Sequence, residues 1–266
     1  MVKIAVAGAA GRMGSRITAL SREYDGLELA AAFERKGHKD IGKDVGQIVG
    51  IGDTGILLAD SLEPMIGAVD LIISFTTVEA SLEHLRLASA HGKSIVIGTT
   101  GFSKQDMEEV AEHTKRIPCV MASNMSLGVN LLLKILADIA RVLGDGYDVE
   151  IIEAHHRMKK DAPSGTALKM AQVVADALNR NLDDVAVYAR KGIIGERTPK
   201  EIGIQTIRAG DIVGEHTVIF GGLGERIEVT HRVSSRDTFA RGALRAALWL
   251  HGKPAGLYDM RDVLGL

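Results

Sequence analysis

Between Glu153 and Ala167 the chain reads Glu-Ala-His-His-Arg-Met-Lys-Lys-Asp-Ala-Pro-Ser-Gly-Thr-Ala. Paired imidazoles, the cations Arg157, Lys159 and Lys160, and the signature of a helix start share that one stretch. Histidine is the side chain best matched to moving a proton near neutral pH. Lysine and arginine supply fixed positive charge, and the amides of a helix start favour an anion. Together they point to a site that binds a small acidic molecule and hands it a proton.

In an extended segment over 149–156, successive side chains alternate faces. Glu153 and His155 then share one face, Ala154 and His156 the other, so the two histidines do different jobs. A dianionic substrate beside a histidine raises its pKa and favours the form ready to act as an acid. Asp161-Ala162-Pro163-Ser164-Gly165-Thr166 reads as a helix start, with Pro163 near the first turn and Ser164 as a cap or ligand donor. The amides of Gly165 and Thr166 are suited to gripping a carboxylate. Adjacent histidines without a convincing carboxylate as third ligand make a poor zinc geometry, so no metal is expected.

A second cluster lies near the N-terminus, where Gly8-Ala9-Ala10-Gly11-Arg12-Met13-Gly14 follows a strand pattern and opens a helix pattern. Glycines there leave room for a pyrophosphate, and the helix start supplies amide donors. The spacing is G-x-x-G-x-x-G rather than the commoner G-x-G-x-x-G. Glu34 follows the second strand, in the place where a carboxylate binds the adenosine ribose. A carboxylate repels a 2′-phosphate, while the adjacent Arg35, Lys36, His38 and Lys39 attract one. NADH and NADPH are therefore both expected as cofactors, without ranking. Three loops at the carboxyl ends of predicted strands complete the crevice: Phe75-Thr76-Thr77, Gly98-Thr99-Thr100-Gly101 and Ala122-Ser123-Asn124-Met125. Their small and hydroxylated residues suit a nicotinamide ribose and carboxamide.

The elements that must hold these clusters follow from periodicity. Apolar β-rich runs at 3–7, 27–33, 70–75, 94–97 and 118–122 alternate with amphipathic stretches at 12–23, 78–91 and 104–115. Non-alternating strands separated by helices imply a parallel sheet with both faces covered. A long helix over 128–143 follows, and the pattern then changes. Strand candidates at 202–208, 216–220 and 226–232 come after a helix at 166–179, joined by short Gly-rich turns, which implies an antiparallel or mixed sheet. A final helix at 236–250 is expected to return to the first domain. The fold class is α/β: a Rossmann-like domain over 1–126 and 236–266, and a second α+β domain over 127–235.

Composition excludes other classes. The chain has 266 residues, 46% hydrophobic and 25% charged, with net charge -2, so no global field favours nucleic acid or an anionic membrane. Aromatics are 4% of residues and do not interleave with basic ones, which removes the stacking platforms of nucleic-acid binders. Cys119, the single cysteine, lies in an apolar run and reads as core. The short N-terminal apolar run is interrupted by Lys3, too little for a signal peptide. No stretch approaches a membrane span, and a cytoplasmic location is expected.

Taken together, Gly8–Gly14, Glu34-Arg35, Gly98-Thr99-Thr100-Gly101-Phe102, Asn124, the block from Glu153 to Ala167, the run 208–216 and Ser234-Ser235-Arg236 resemble the 4-hydroxy-tetrahydrodipicolinate reductase family of lysine and diaminopimelate biosynthesis. The His-His…Lys…Ser-Gly-Thr pattern is highly specific to that family; the glycine motif alone is not. The resemblance implies a homotetramer assembled through the second domain, with a small dicarboxylate as substrate. It implies His155 as proton donor and Lys159 as its partner lysine. His156, Lys159, Ser164, Gly165 and Thr166 become substrate-binding positions. Gly8, Ala9, Ala10, Gly11, Arg12, Met13, Glu34, Arg35, Gly98, Thr99, Thr100, Ala122, Ser123, Asn124 and Met125 become cofactor-binding positions. Met125 stands where some members carry an aromatic residue beside the nicotinamide. The implied reaction delivers a hydride to ring carbon C4 and a proton from His155 to C3. An aspartate or homoserine dehydrogenase-like reductase would share the first domain but has no reason to carry the histidine block. A redox-sensing regulator predicts loss of the histidine or the lysine, and both are present.

Overall fold

A computed structural model describes all of residues 1–266, which divide into two compact units. The first takes in Met1–Leu127 and Arg236–Leu266, the second Gly128–Ser235. The chain opens with β1 (Val2–Ala7), α1 (Arg12–Ser21), β2 (Leu27–Phe33), α2 (Val45–Val49), β3 (Leu58–Ala59) and β4 (Leu71–Ser74). It continues through α3 (Val78–Ala90), β5 (Ser94–Ile97), α4 (Lys104–Thr114) and β6 (Pro118–Met121). The second unit holds α5 (Leu127–Leu143, from Gly128 on), β7 (Asp148–His155), α6 (Gly165–Ala177), α7 (Leu182–Val185), β8 (Ala186–Val187), β9 (Ile202–Arg208), β10 (Gly214–Gly221) and β11 (Arg226–Val233). The chain then returns to the first unit with α8 (Asp237–Leu250), β12 (Gly256–Tyr258) and α9 (Met260–Leu264).

The first unit is a seven-stranded sheet in the order β12-β6-β5-β4-β1-β2-β3, with every neighbouring pair parallel. Its central strands are buried nearly end to end because helices cover both faces, which is why they lack alternation. One apolar cluster lies under α1 and α8, and a second under α3 and α4. The strand order reverses at β1, flanked by β4 and β2, so the crevice of a doubly wound sheet opens at its carboxyl end. The returning helix α8 packs on α1, β5 and β6. Arg16 clamps Asp237 bidentately at 2.7 and 2.8 Å, fixing the helix pair. Gly242 makes the close approach possible, since a Cβ there would lie 1.7 Å from the Met125 carbonyl oxygen.

The second unit carries a five-stranded mixed sheet in the order β11-β10-β7-β9-β8. Here β7 and β10 alternate buried and half-buried residues, because α5 and α6 cover one face only. The sheet is mixed, as the sequence implies, but β9 and β10, joined by the Ala209-Gly210-Asp211 turn, are not neighbours: β7 lies between them, parallel to β9 and antiparallel to β10. The connection crosses the carboxyl end of β7, where Ala209 donates to the His155 carbonyl at 2.9 Å and Arg157 to that of Gly210 at 3.2 Å. Hydrogen bonds that end one strand thus hold the crossover. The short elements α2, β3, α7, β8, β12 and α9 carry too few residues for a periodic signal, and the sequence pattern missed them. No helix is long and apolar enough to cross a membrane.

Candidate functional site

In the first unit the turn after β1 is built by omission of side chains. Gly8 adopts φ +64°, a left-handed conformation in which its carbonyl accepts from Gly11 N–H at 2.8 Å. Gly11 is the N-cap of α1 and brings no capping side chain, and no acidic residue occupies the first turn. A Cβ at Gly14 would lie 2.0 Å from the Gly8 carbonyl oxygen, so only glycine lets the helix start beneath the turn. The cradle a Cβ would fill, with the positive end of a ten-residue helix behind it, fits the diphosphate of a dinucleotide.

A cavity of about 710 Å³ runs from Gly8 and Gly11 past Glu34, Arg35 and Lys36, walled by Phe75, Thr76, Thr77 and His84. Glu34 is half-buried at the end of β2, and Arg35 and Lys36 are exposed beside it. Behind the wall Ser74, Thr76, Ser81 and Thr99 form a hydroxyl chain, with Ser81 Oγ and Thr99 Oγ1 at 2.7 Å. His84 Nδ1 joins it at Ser74 Oγ, 3.0 Å away, and burial pushes that ring down to about 4. His84, Ser74 and Ser81 belong to no contiguous motif, and a histidine on the inward side of α3 is the one signal the sequence offers for them.

Gly98 follows β5, Thr76 follows β4 and Ala122 follows β6, so all three loops lie at carboxyl ends of adjacent strands. Gly98 is required, because a Cβ there would meet the Phe75 ring at 2.1 Å. Thr99 presents its hydroxyl inward to Thr76 N–H at 2.9 Å, leaving Thr100 exposed. Ser123 is exposed and Asn124 caps the turn by accepting from Ser126 N–H at 2.9 Å. Met125 is 1% exposed and its side chain packs in the core under α8. An unbranched apolar chain is drawn into the core in preference to a polar crevice.

In the second unit the histidine block follows β7. Alternation holds to the end of that strand: Glu153 and His155 are buried, and His156 leaves on the other side, half-buried, with Nδ1 lacking a partner. Glu153 is 0% exposed yet five donors converge on it. Its Oε2 accepts from His155 Nδ1 at 2.6 Å and Arg208 at 2.8 Å. Its Oε1 accepts from Arg208 at 2.9 Å, Ser164 N–H at 3.0 Å and Thr206 at 3.2 Å. Burial alone would push this carboxyl up, but the hydrogen bonds from Arg208, His155 and Ser164 outweigh it and hold it below the usual range. Burial is the largest influence on His155 and lowers its pKa, against the raising effect of Glu153.

The crossing strands explain this assembly. Arg208 is in register with His155 on β9, and His216 with Glu153 on β10. Gly214 leaves room for the imidazole, since a Cβ there would stand 3.1 Å from His155 Nε2. Arg208, Thr206 and His216 were not predicted as site residues, because their proximity depends on pairing across more than fifty positions of sequence. Lys159 is half-buried and its Nζ lies 2.8 Å from Asp161, whose carboxyl it holds below the usual range. Arg157 and Lys160 are exposed.

Ser164 caps α6, accepting from Ala167 N–H at 3.1 Å, and its hydroxyl lies 3.0 Å from His216 Nε2. At 2% exposure that hydroxyl is committed to the protein, so of the two roles weighed for it the cap is the one observed. Gly165 and Thr166 form the first turn behind it. Pro163 lies one residue before the cap, near the first turn as expected, and follows a cis peptide bond from Ala162. His216 is pushed down to about 4, mainly by burial.

Residues 2–125 match the family described as dihydrodipicolinate reductase, N-terminus, and residues 128–264 match dihydrodipicolinate reductase, C-terminus. The chain belongs to the dihydrodipicolinate reductase family. A 4-hydroxy-tetrahydrodipicolinate reductase of Syntrophobacter fumaroxidans is 60% identical over 266 residues, covering 100% of both chains. One of Syntrophus aciditrophicus is 56% identical over 265 residues, covering 100% of this chain and 99% of its own. Among solved structures, a dipicolinate-bound dihydrodipicolinate reductase from Paenisporosarcina sp. TG-14 shares the fold with a TM-score of 0.74 at 24% identity, covering 98% of each chain. Both halves of the present chain thus fall in one family, and the resemblance in the motifs extends over the whole length.

Proposed function

We propose that the chain reduces 4-hydroxy-tetrahydrodipicolinate, by way of dihydrodipicolinate, to tetrahydrodipicolinate in lysine and diaminopimelate biosynthesis. It is an NAD(P)H-dependent oxidoreductase of the dihydrodipicolinate reductase family. Residues 1–126 with 236–266 bind the cofactor, and 127–235 bind the substrate and assemble the oligomer. The observation that carries this reading is the block after β7: a buried histidine held by a carboxylate, followed by a lysine and a helix start.

Loss of water from the substrate gives a conjugated cyclic imine with two carboxylates. The nicotinamide cofactor, when bound, supplies a hydride to ring carbon C4. His155 then delivers a proton to C3, the carbon that becomes electron-rich. Its Nε2 has no protein hydrogen bond, and the side chain keeps 11% of its surface exposed, so this atom is the one able to reach a ligand. Lys159 exchanges Asp161 for a substrate carboxylate and offsets the charge that develops on the ring. His156 and the Gly165-Thr166 turn hold the second carboxylate, with Ser164 fixing the turn from behind. On the cofactor side, Gly8 to Met13 accommodate the diphosphate, Glu34 the adenosine ribose, and Arg35 a 2′-phosphate. Gly98 to Thr100 and Ala122 to Met125 line the nicotinamide end, Met125 through its backbone.

A homotetramer formed through the second unit belongs to the same reading, as does a cytoplasmic setting. Its support is the sheet face that carries Ile152, Thr217 and Ile219, which neither α5 nor α6 covers. The test of function is oxidation of NADH or NADPH, followed at its absorbance, with freshly made dihydrodipicolinate synthase product. Oxidation is expected only when that product is supplied. His155→Gln should lower turnover roughly 10²–10⁴-fold while cofactor affinity stays near wild type. An unchanged rate removes His155 from its role.

A further inference from the structure

We propose that Glu153 is the positioning residue for the proton donor, fixing the His155 ring with hydrogen on Nδ1 and leaving Nε2 as the nitrogen that gains and loses the transferred proton. This rests on the reading of His155 given above and extends it to a residue outside the block's histidines and lysine.

The donors around Glu153 decide the protonation pattern. A backbone N–H and a guanidinium can only donate, and between them they face both carboxylate oxygens: Ser164 N–H and Arg208 at Oε1, Arg208 again at Oε2. With the Arg208 guanidinium paired to both oxygens and the carboxyl held below the usual range, Glu153 is ionised and has no proton to give. The remaining contact on Oε2, from His155 Nδ1 at 2.6 Å, must then carry its hydrogen on the imidazole. With Nδ1–H committed, a proton arriving on Nε2 makes the imidazolium. Its departure breaks the Nε2–H bond, forms a C–H bond with the electron pair of the substrate carbon and restores the neutral Nδ1–H ring.

A carboxylate whose only task was to close the sheet would be satisfied by Arg208 and Ser164. Oε2 nevertheless makes its shortest contact with the imidazole, and Arg208 is pinned in turn by the Asp161 carbonyl at 2.6 Å. The charged and titratable groups facing His155 are Glu153 on its own strand, Arg208 on β9, His216 on β10, and Lys159 in the following loop, itself paired to Asp161. Lys159 and Arg208 oppose a proton on the ring, and Glu153 favours one. An amide in place of the carboxylate cannot serve both sides. With its oxygen turned to Ser164 and Arg208, its NH2 faces Nδ1 and selects the opposite tautomer.

Glu153→Gln is expected to lower kcat roughly 10²–10⁴-fold, the range seen when the orienting partner of a catalytic histidine is neutralised. The alkaline limb of the pH–rate profile should move to lower pH by about one unit or more, because the charge that favours imidazolium is gone. KM for the cofactor should hold. A loss of activity that follows melting temperature with the limb unmoved would mark Glu153 as structural only and overturn the proposal. Since Glu153→Gln strands the Arg208 charge and can unfold the second unit, a measurement on the unaltered protein stands beside it. Nitrogen-15 correlation spectra of labelled histidine should show neutral His155 protonated at Nδ1; a dominant Nε2–H form overturns the proposal. If instead His155→Gln leaves the rate unchanged, the reading of His155 itself fails, whatever the tautomer.

Discussion

The glycine turn after β1 and the histidine block after β7 occupy the same kind of place, the carboxyl end of a strand just before a helix. The first works by leaving atoms out. Gly8, Gly11 and Gly14 stack so tightly that a single Cβ at position 14 would sit 2.0 Å from a carbonyl oxygen, and the ligand is met by backbone. The second works by packing side chains in, with five hydrogen bonds focused on one buried carboxylate. A backbone cradle suits a ligand part that stays the same in every turnover, such as a diphosphate. A network of side chains suits a group that must change protonation each cycle, because its neighbours set the balance between the two forms.

The sharpest way to break this contrast is Gly14→Ala. The added carbon must displace the Gly8 and Ala9 backbone, an overpacking cost of about 1–3 kcal/mol that should appear as a roughly 10- to 100-fold loss of cofactor affinity by titration. The histidine spectra of the β7 block should not change. If they do, the two sites are not built independently.

A pH scan of unfolding by calorimetry probes a feature the regions share. Each holds a histidine whose pKa burial lowers from 6.5 to about 4, His84 in the first unit and His216 in the second. Below about pH 6.5 the unfolded chain takes up protons that the folded rings refuse. Stability is thus full above pH 6.5 and falls as pH drops toward 4. The loss is up to about 3 kcal/mol for His216 and less for the partly exposed His84. His84→Asn and His216→Asn should each flatten the slope; an unchanged slope in both would refute the neutral assignments.

The smallest effect concerns specificity within the cradle. Arg35 is exposed at the rim of the cavity, so Arg35→Ala should weaken NADPH roughly 3- to 10-fold and leave NADH unchanged. The difference should shrink with added salt, as expected for an exposed charge. Equal weakening of both cofactors would remove Arg35 from that task.

How legible each region was in the sequence follows from the same contrast. The cradle is contiguous, and its glycines announce positions where a side chain cannot stand, so the motif and the strand before it were readable together. The histidine block was also contiguous, and alternation alone put Glu153 beside His155. Its outer half was not readable. Arg208 and His216 arrive through register with β7, and nothing local states that β9 and β10 lie on opposite sides of that strand. Ser164 and Met125 show a third limit. Residue type allowed either a ligand contact or a packing role, and only burial distinguishes them. Short elements such as β12 owe their existence to a neighbour, here β6, more than to their own pattern.

The return of α8 to the first unit carries a consequence for how the chain is made. Ala240, Ala243, Leu244, Ala247 and Leu250 complete the apolar cluster that includes Ile17 and Leu20 of α1. A ribosome must deliver all of Gly128–Ser235 before that cover emerges. The second unit is contiguous and can close first, while the cradle-bearing unit waits half-built with its α1 flank bare. A stop codon near residue 236 would therefore spare every residue named for cofactor and substrate and still leave the apolar cluster under α1 uncovered.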